Sequence, residues 1–264
     1  MHLNRLMLFT DFTVASDIAA SHCYQIASLS RGEVLSLHVI SSNEDLEWAE
    51  KKCREQVSKL SNYDSNIPFT PMASSQSLFQ GMNKWMHDKG VNLAFMATHG
   101  KKDLQFVTGS NALKLIFNAE IPIMVVQQKS PVRPYKKIVL PVFGHQAGKQ
   151  FPIEVLQAIS QLYGAQVTVI TPASEDAKSA EALKMTVDEI TKTLDGNAAS
   201  VEAVESKQPE KKFSQAVIAA AKELDADLIA VLIGAKHHRH EAEKIKKFYQ
   251  SVITNEHALP VLCL

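Results

Sequence analysis

The sequence predicts an α/β protein built of two tandem doubly wound domains, each a parallel five-stranded sheet with helices on both faces. Three observations carry this expectation. Short apolar, β-branched runs of strand length alternate with segments whose apolar residues recur at helical spacing. The strand-like runs are apolar at successive positions, as strands covered on both faces must be. The same order of elements is written twice along the chain.

The repeat is read by setting Arg5 against Lys137, which lays "RLMLFTDFT" over "KIVLPVFGH". At that offset "GEVLSLHVI" from Gly32 falls over "GAQVTVITP" from Gly164, so the first two strand segments share one register. The offset then grows by a few residues. "LFQGMNKWM" from Leu78 pairs with "FSQAVIAAA" from Phe213, and "VNLAFMA" from Val91 with "ADLIAVL" from Ala226. "EIPIMVV" from Glu120 meets "ALPVLCL" from Ala258, with Pro122 over Pro260.

Taken in order, "LMLFT" is the first strand, and Val14, Ile18, Ile26 and Leu29 place the core stripe of the helix after it. "VLSLHVI" is the second strand, and the charged stretch around residues 44–57 carries interspersed apolar positions, as a solvated amphipathic helix does. Leu78, Met82, Trp85 and Met86 form the stripe of the next helix, which leads to the fourth strand, "NLAFMAT". A helix opens at Gly109-Ser110, and "IPIMVV" closes the half. In the second half Phe213, Ala216, Val217, Ala220 and Leu224 form one stripe, and Ile245, Phe248, Tyr249, Val252 and Ile253 another. Buried strands alternating with helices imply right-handed β-α-β units. The aromatic members of these stripes are explained as core.

Between the halves lies "QQKSPVRPYKK", residues 127–137, where prolines and cationic side chains replace the apolar pattern. This places one domain over residues 1–129 and a second over 135–264. Lys plus Arg equals Asp plus Glu at 28 each, so no basic excess argues for nucleic acid or an anionic membrane surface. No apolar run is long enough to span a bilayer. The opening "MHLNRLMLFTDF" lacks the features of a secretory signal, and Cys23, Cys53 and Cys263 have no CxxC spacing, so a reducing cytoplasm is expected.

In a doubly wound sheet, ligands bind beyond the carboxyl ends of strands, where the strand order reverses. The first strand ends at "FTDFT", bringing Thr10 and Asp11 to that place, and the fourth ends at "MATHG", bringing His99 and Gly100. Backbone N–H groups and a hydroxyl at Gly109-Ser110 would face an anion at a helix N-terminus. Ser110 as a plain N-cap explains the same pair.

These segments together resemble the universal stress protein family, in its tandem two-domain form. The first half carries "FTDFT" for the family's first-strand Asp, "LHVI" for its second-strand signature, and "MATHGKKDLQFVTGS" for its G-x2-G-x9-G-[ST] nucleotide loop. Ala97 stands where the family's first glycine falls, and eight residues separate Gly100 from Gly109. The resemblance implies the adenine nucleotide alpha hydrolase-like fold and a site for ATP or another adenine nucleotide, with or without Mg. It implies the Asp11 carboxylate near adenine or ribose beside Thr10, Val39 beside the adenine, and Met96 and Ala97 along the nucleotide. It sets Gly100, Gly109 and Ser110 at the phosphates, and His99 and Asn111 join them as candidate nucleotide-binding residues. Lys101 and Lys102 would add charge there, or line an exposed loop. The resemblance further implies that "IPIMVV" and "LPVLCL" pair within one chain as an intrachain pseudo-dimer, which also leaves room for a homodimer.

The second half lacks this equipment: Phe143 takes the register of the Asp, and "AKHHRHEAEKIKKFYQS" after Gly234 has no glycine pair. "VFGHQAGKQ" fails as a phosphate loop, because Gly144 and Gly148 are one residue too close and Gln150 replaces the metal-binding hydroxyl. His237, His238 and His240, with His257 or Glu241, are candidate metal ligands, but consecutive side chains diverge and a solvated loop is the preferred reading. No nucleophile elbow or paired catalytic groups emerge. The expected function is therefore a stress-response protein that binds a ligand, chiefly an adenine nucleotide in the first domain, and acts through conformation or partners. The alternatives are a nucleotide-free dimerisation or signalling scaffold, which could bind an apolar metabolite, and a weak ATPase.

Overall fold

The computed structural model describes residues 2–40, 45–60, 66–98, 109–143, 151–173, 177–195, 200–209, 212–233 and 242–264. The chain forms two compact units, Met1–Val132 and Arg133–Leu264.

The first unit runs β1 (Arg5–Thr10), α1 (Val14–Ser30), β2 (Glu33–Val39), α2 (Leu46–Ser58), β3 (Phe69–Ser74), α3 (Leu78–Asp88), β4 (Leu93–Thr98), α4 (Gly109–Asn118) and β5 (Ile123–Gln127). Its strands lie in the order β3-β2-β1-β4-β5 and pair in parallel throughout. The second unit runs β6 (Lys137–Pro141), α5 (Ile153–Tyr163), β7 (Gln166–Ala173), α6 (Ala177–Asp195), β8 (Ser200–Pro209), α7 (Phe213–Glu223), β9 (Leu228–Val231), α8 (Ala242–Ile253) and β10 (Val261–Cys263). Its order, β8-β7-β6-β9-β10, repeats the first, again parallel. Each unit is therefore a doubly wound α/β domain. β1, β2, β4 and β5 are buried along nearly their whole length, which explains their unbroken apolar runs.

The third strands, each at one end of its unit's order, have no such run. β3 is half-buried and contains Pro71, which lacks the N–H of an interior strand residue. β8 exposes Glu202, Ala203, Val204 and Glu205.

Three readings of the sequence need correction. In α1, Val14 is 60% and Leu29 49% exposed, so they are not core positions. The buried face is Ala15, Ser16, Ala19, Ala20, His22, Cys23, Tyr24, Ile26 and Ala27. Small residues bring the helix axis close to the sheet, and a search for large apolar residues passes over them. In α7 the buried positions are Phe213, Val217 and Ala221, with Leu224 exposed. The register of the repeat also slips by one residue between its first two strands. Arg5 sits opposite Glu33 and Lys137 opposite Gln166, so the two second strands match one position later than the first.

The repeat extends to structural details that no pattern search identified. The side-chain oxygen of Asn92 accepts the N–H groups of Asn4 and Arg5 at 3.1 and 3.0 Å. Its counterpart Asp227 accepts those of Lys136 and Lys137 at 2.8 and 2.9 Å. Each therefore fixes the entry of its unit's first strand against the fourth. Within α3, Gly81 leaves room for Trp85: a Cβ there would stand 2.1 Å from the indole ring. All three cysteines are free and buried, and burial pushes their thiol pKa values up.

Candidate functional site

The order β3-β2-β1-β4-β5 reverses between β1 and β4, so the crevice beyond their carboxyl ends is where a doubly wound domain receives a ligand. β1 ends at Thr10, level with His38 of β2, and β4 ends at Thr98, level with Gln127 of β5. Thr10, Asp11, Ala97 and Thr98 therefore stand at the ends of the two strands that flank the reversal. Val39 ends β2 next door and is half-buried.

The polar groups of this end are held by one another. Thr10 Oγ1 donates to Ser16 Oγ at 3.2 Å and accepts the N–H of Phe12 at 3.1 Å. Asp11 Oδ1 accepts from the N–H of Thr13 at 3.1 Å and from its hydroxyl at 2.6 Å. Thr13 is in turn the N-cap of α1, its side chain accepting the N–H of Ser16. From α2, Gln56 Nε2 donates to Ser16 Oγ and to Asp17 Oδ1 at 3.3 and 2.8 Å. The strand end and the helix start are thus locked by side chains drawn from β1, α1 and α2.

Met96 is only 2% exposed, so its side chain belongs to the core. Ala97 is half-buried at the strand end. Gly109, Ser110 and Asn111 form the first turn of α4, where a helix leaves N–H groups without intrahelical partners. His99 and Gly100, and with them Lys101 and Lys102, lie outside the described residues. So do His237, His238, His240 and Glu241, and the Gly144–Gln150 segment. Among the described residues, no group of three His, Cys, Asp or Glu could hold a metal ion. No described helix is long and apolar enough to cross a membrane.

One feature of the crevice was not read from the sequence. Phe12, directly after Asp11, has φ +60, and its ring lies 4.5 Å from that of His38 at 32°. Trp48, in the first turn of α2, meets Phe12 edge-on at 5.8 Å and His38 at 5.9 Å. His38 Nδ1 donates to the carbonyl of Thr10 at 2.8 Å. The three rings come from a turn, a strand and a helix, so no sequence period brings them together.

The corresponding place in the second unit is filled. Phe143, just after β6, is 3% exposed. Its ring lies 4.7 Å from Phe248, 5.8 Å from Phe213 and 6.2 Å from Tyr249. The Tyr249 hydroxyl donates to the carbonyl of Leu232 at the end of β9.

No protein-family model matches the chain. It is similar to a universal stress protein of Methanocaldococcus jannaschii, 23% identical over 155 residues that cover 48% of this chain and 96% of that protein. Among solved structures, a universal stress protein from Archaeoglobus fulgidus superposes with a TM-score of 0.67 at 14% identity, over 99% of this chain and 96% of that one. The cytoplasmic domain of a prokaryotic cation chloride cotransporter superposes with a TM-score of 0.58 at 10% identity, over 99% and 95% of the two chains. One fold thus serves proteins of unlike description, and function has to be argued from the site.

Proposed function

We propose that this chain, which resembles the universal stress proteins in sequence and in fold, is a cytoplasmic stress-response protein that binds an adenine nucleotide in its first domain. It acts through conformation or partners rather than through chemistry. The observation that carries this reading is the strand-order reversal between β1 and β4, with Thr10, Asp11 and Ala97 at the strand ends flanking it. The nucleoside would lie along Thr10, Asp11, Val39 and Ala97. The phosphates would extend toward His99, Gly100 and the first turn of α4 at Gly109, Ser110 and Asn111, with or without Mg. Met96 would contribute backbone alone, since its side chain is buried.

A second reading, a nucleotide-free scaffold, is favoured by one observation: Asp11 Oδ1 is already engaged by Thr13. Titration calorimetry with ATP separates the two. Binding is expected in the wild type and is abolished by Gly109→Val, whose branched side chain crowds the first turn of α4, while the thermal melt of the apo protein stays nearly unchanged. Equal ATP affinity in wild type and variant overturns the role of this helix start. A wild type that binds no ATP establishes the scaffold reading instead.

A further inference from the structure

Of two residues paired across a parallel ladder, one turns its N–H and C=O toward the partner strand and the other turns them away. In β7 the N–H of Gln166 donates to the carbonyl of Lys136, and the carbonyl of Ile170 accepts the N–H of Val142 at 2.9 Å, so its even-numbered residues face β6. Val167, Val169 and Thr171 therefore face β8, and their partners Val201, Ala203 and Glu205 turn their backbone groups outward. β8 ends the strand order, and Glu202, Ala203, Val204 and Glu205 are exposed, so among the described residues this edge is open.

The first domain closes the same place. The N–H of Val34 donates to the carbonyl of Pro68 and that of Ile40 to Ser74, so even-numbered residues of β2 face β3. Phe69, Pro71 and Ala73, opposite Val34, Ser36 and His38, turn outward. Glu33 lies opposite Arg5 as Gln166 lies opposite Lys137, so Val34 matches Val167 and Pro71 holds the position of Ala203. Proline has no N–H to offer a further strand. β8 keeps that N–H and runs ten residues against six for β3. A long edge of this kind is a template for strand addition, in which main-chain hydrogen bonds supply affinity and side chains supply specificity.

Charge decides which strand fits. Glu202 and Glu205 project from opposite faces of β8, and neither forms an ion pair among the described residues, whereas Glu50, Glu55 and Asp88 each meet an arginine or lysine. A second copy added across a two-fold axis would bring two carboxylates from each chain onto one short ladder, where like charges oppose pairing. A strand with basic residues three apart meets both carboxylates instead. We propose that the β8 edge binds an extended cationic segment of a partner protein as an added strand, its backbone on Val201, Ala203 and Glu205 and its basic side chains on Glu202 and Glu205. This does not depend on the nucleotide reading of the first domain.

The test uses the full chain and two peptides, TRVTRVT and TEVTEVT, each with N-terminal fluorescein and a C-terminal amide, followed by fluorescence anisotropy. The cationic peptide is expected to bind about tenfold or more tightly than the acidic one. Ala203→Pro gives β8 the residue that β3 carries at this position, so the thermal melt is retained while the cationic peptide loses about tenfold or more in affinity. Glu202→Lys combined with Glu205→Lys alters exposed side chains, leaves the β7–β8 ladder in place and reverses the preference between the peptides. If Ala203→Pro fails to fold, this reversal decides alone. No binding of the cationic peptide at about 1 mM, equal affinity for both peptides, or unchanged affinity in a folded Ala203→Pro each overturns the proposal. A dimer in sedimentation velocity that Ala203→Pro abolishes overturns it too, and assigns the edge to a second copy of this chain.

Discussion

His22 is wholly buried on the inner face of α1, and burial lowers its pKa from 6.5 to about 4. The folded state keeps this imidazole neutral where the unfolded chain protonates it. Between pH 6.5 and pH 4 the unfolded state therefore binds more protons, and stability falls as the solution is acidified. The whole effect is about 3 kcal/mol, absent above pH 6.5 and complete below pH 4. Denaturant titrations across this range are expected to show a flatter dependence on pH in His22→Gln than in the wild type. An identical slope in the two proteins would mean that the ring is accommodated in its charged form.

At the scale of elements, the two domains solve one problem with different residues. α1 ends in a left-handed cap at Arg31, φ 54, whose N–H donates to the carbonyl of Ala27; α5 ends in the same cap at Gly164, φ 58. After α3 the left-handed position is Gly90, and after α7 it is Asp225. At these two helix ends each domain thus places one glycine and one side-chain-bearing residue in a conformation that favours glycine. Arg31→Gly is expected to raise stability by up to about 1 kcal/mol, and Gly164→Ala to lower it by a similar amount. The second loss would come from backbone strain alone, because nothing lies within 4 Å of the Cβ that Ala would add. Chemical denaturation of the two variants checks both signs, and a destabilised Arg31→Gly would show that the arginine side chain holds the cap by other contacts.

Across the whole molecule, one fold has two fates. The first domain ends β1 in Thr10 and Asp11, both tied into a polar network at the start of α1. The second ends β6 ahead of Phe143, whose ring is buried among Phe213, Phe248 and Tyr249. Among the described residues, this buried cluster sets aromatic rings where the first domain has Thr10 and Asp11, and burying a nucleoside's polar group unpaired costs about 1–3 kcal/mol. At most one nucleotide per chain is therefore expected, in the first domain. Asp11→Ala should weaken it. Phe143→Ala should cost the second domain about 3–5 kcal/mol of stability while leaving nucleotide affinity unchanged. Two equivalent sites in a titration would show that the aromatic cluster opens to ligand.

The sequence by itself determined the fold class, the doubling of the chain and the strands of each core. A parallel strand covered on both faces must be apolar throughout, and this signal is local. It also placed Thr10 and Asp11 at the end of the first strand, because that boundary follows from the same run. It misjudged α1, where alanines rather than Val14 and Leu29 face the sheet, since helical packing distance is set by the neighbour as much as by the residue. It passed over β3 and β8, whose partial exposure lets polar residues break the apolar pattern. Only the tertiary structure decided that Asn92 and Asp227 brace the first strands, that Asp11 is drawn onto Thr13, and that Phe12, His38 and Trp48 meet. Each of these depends on side chains brought together from separate elements or turned by one local backbone angle, and a linear pattern carries no term for either.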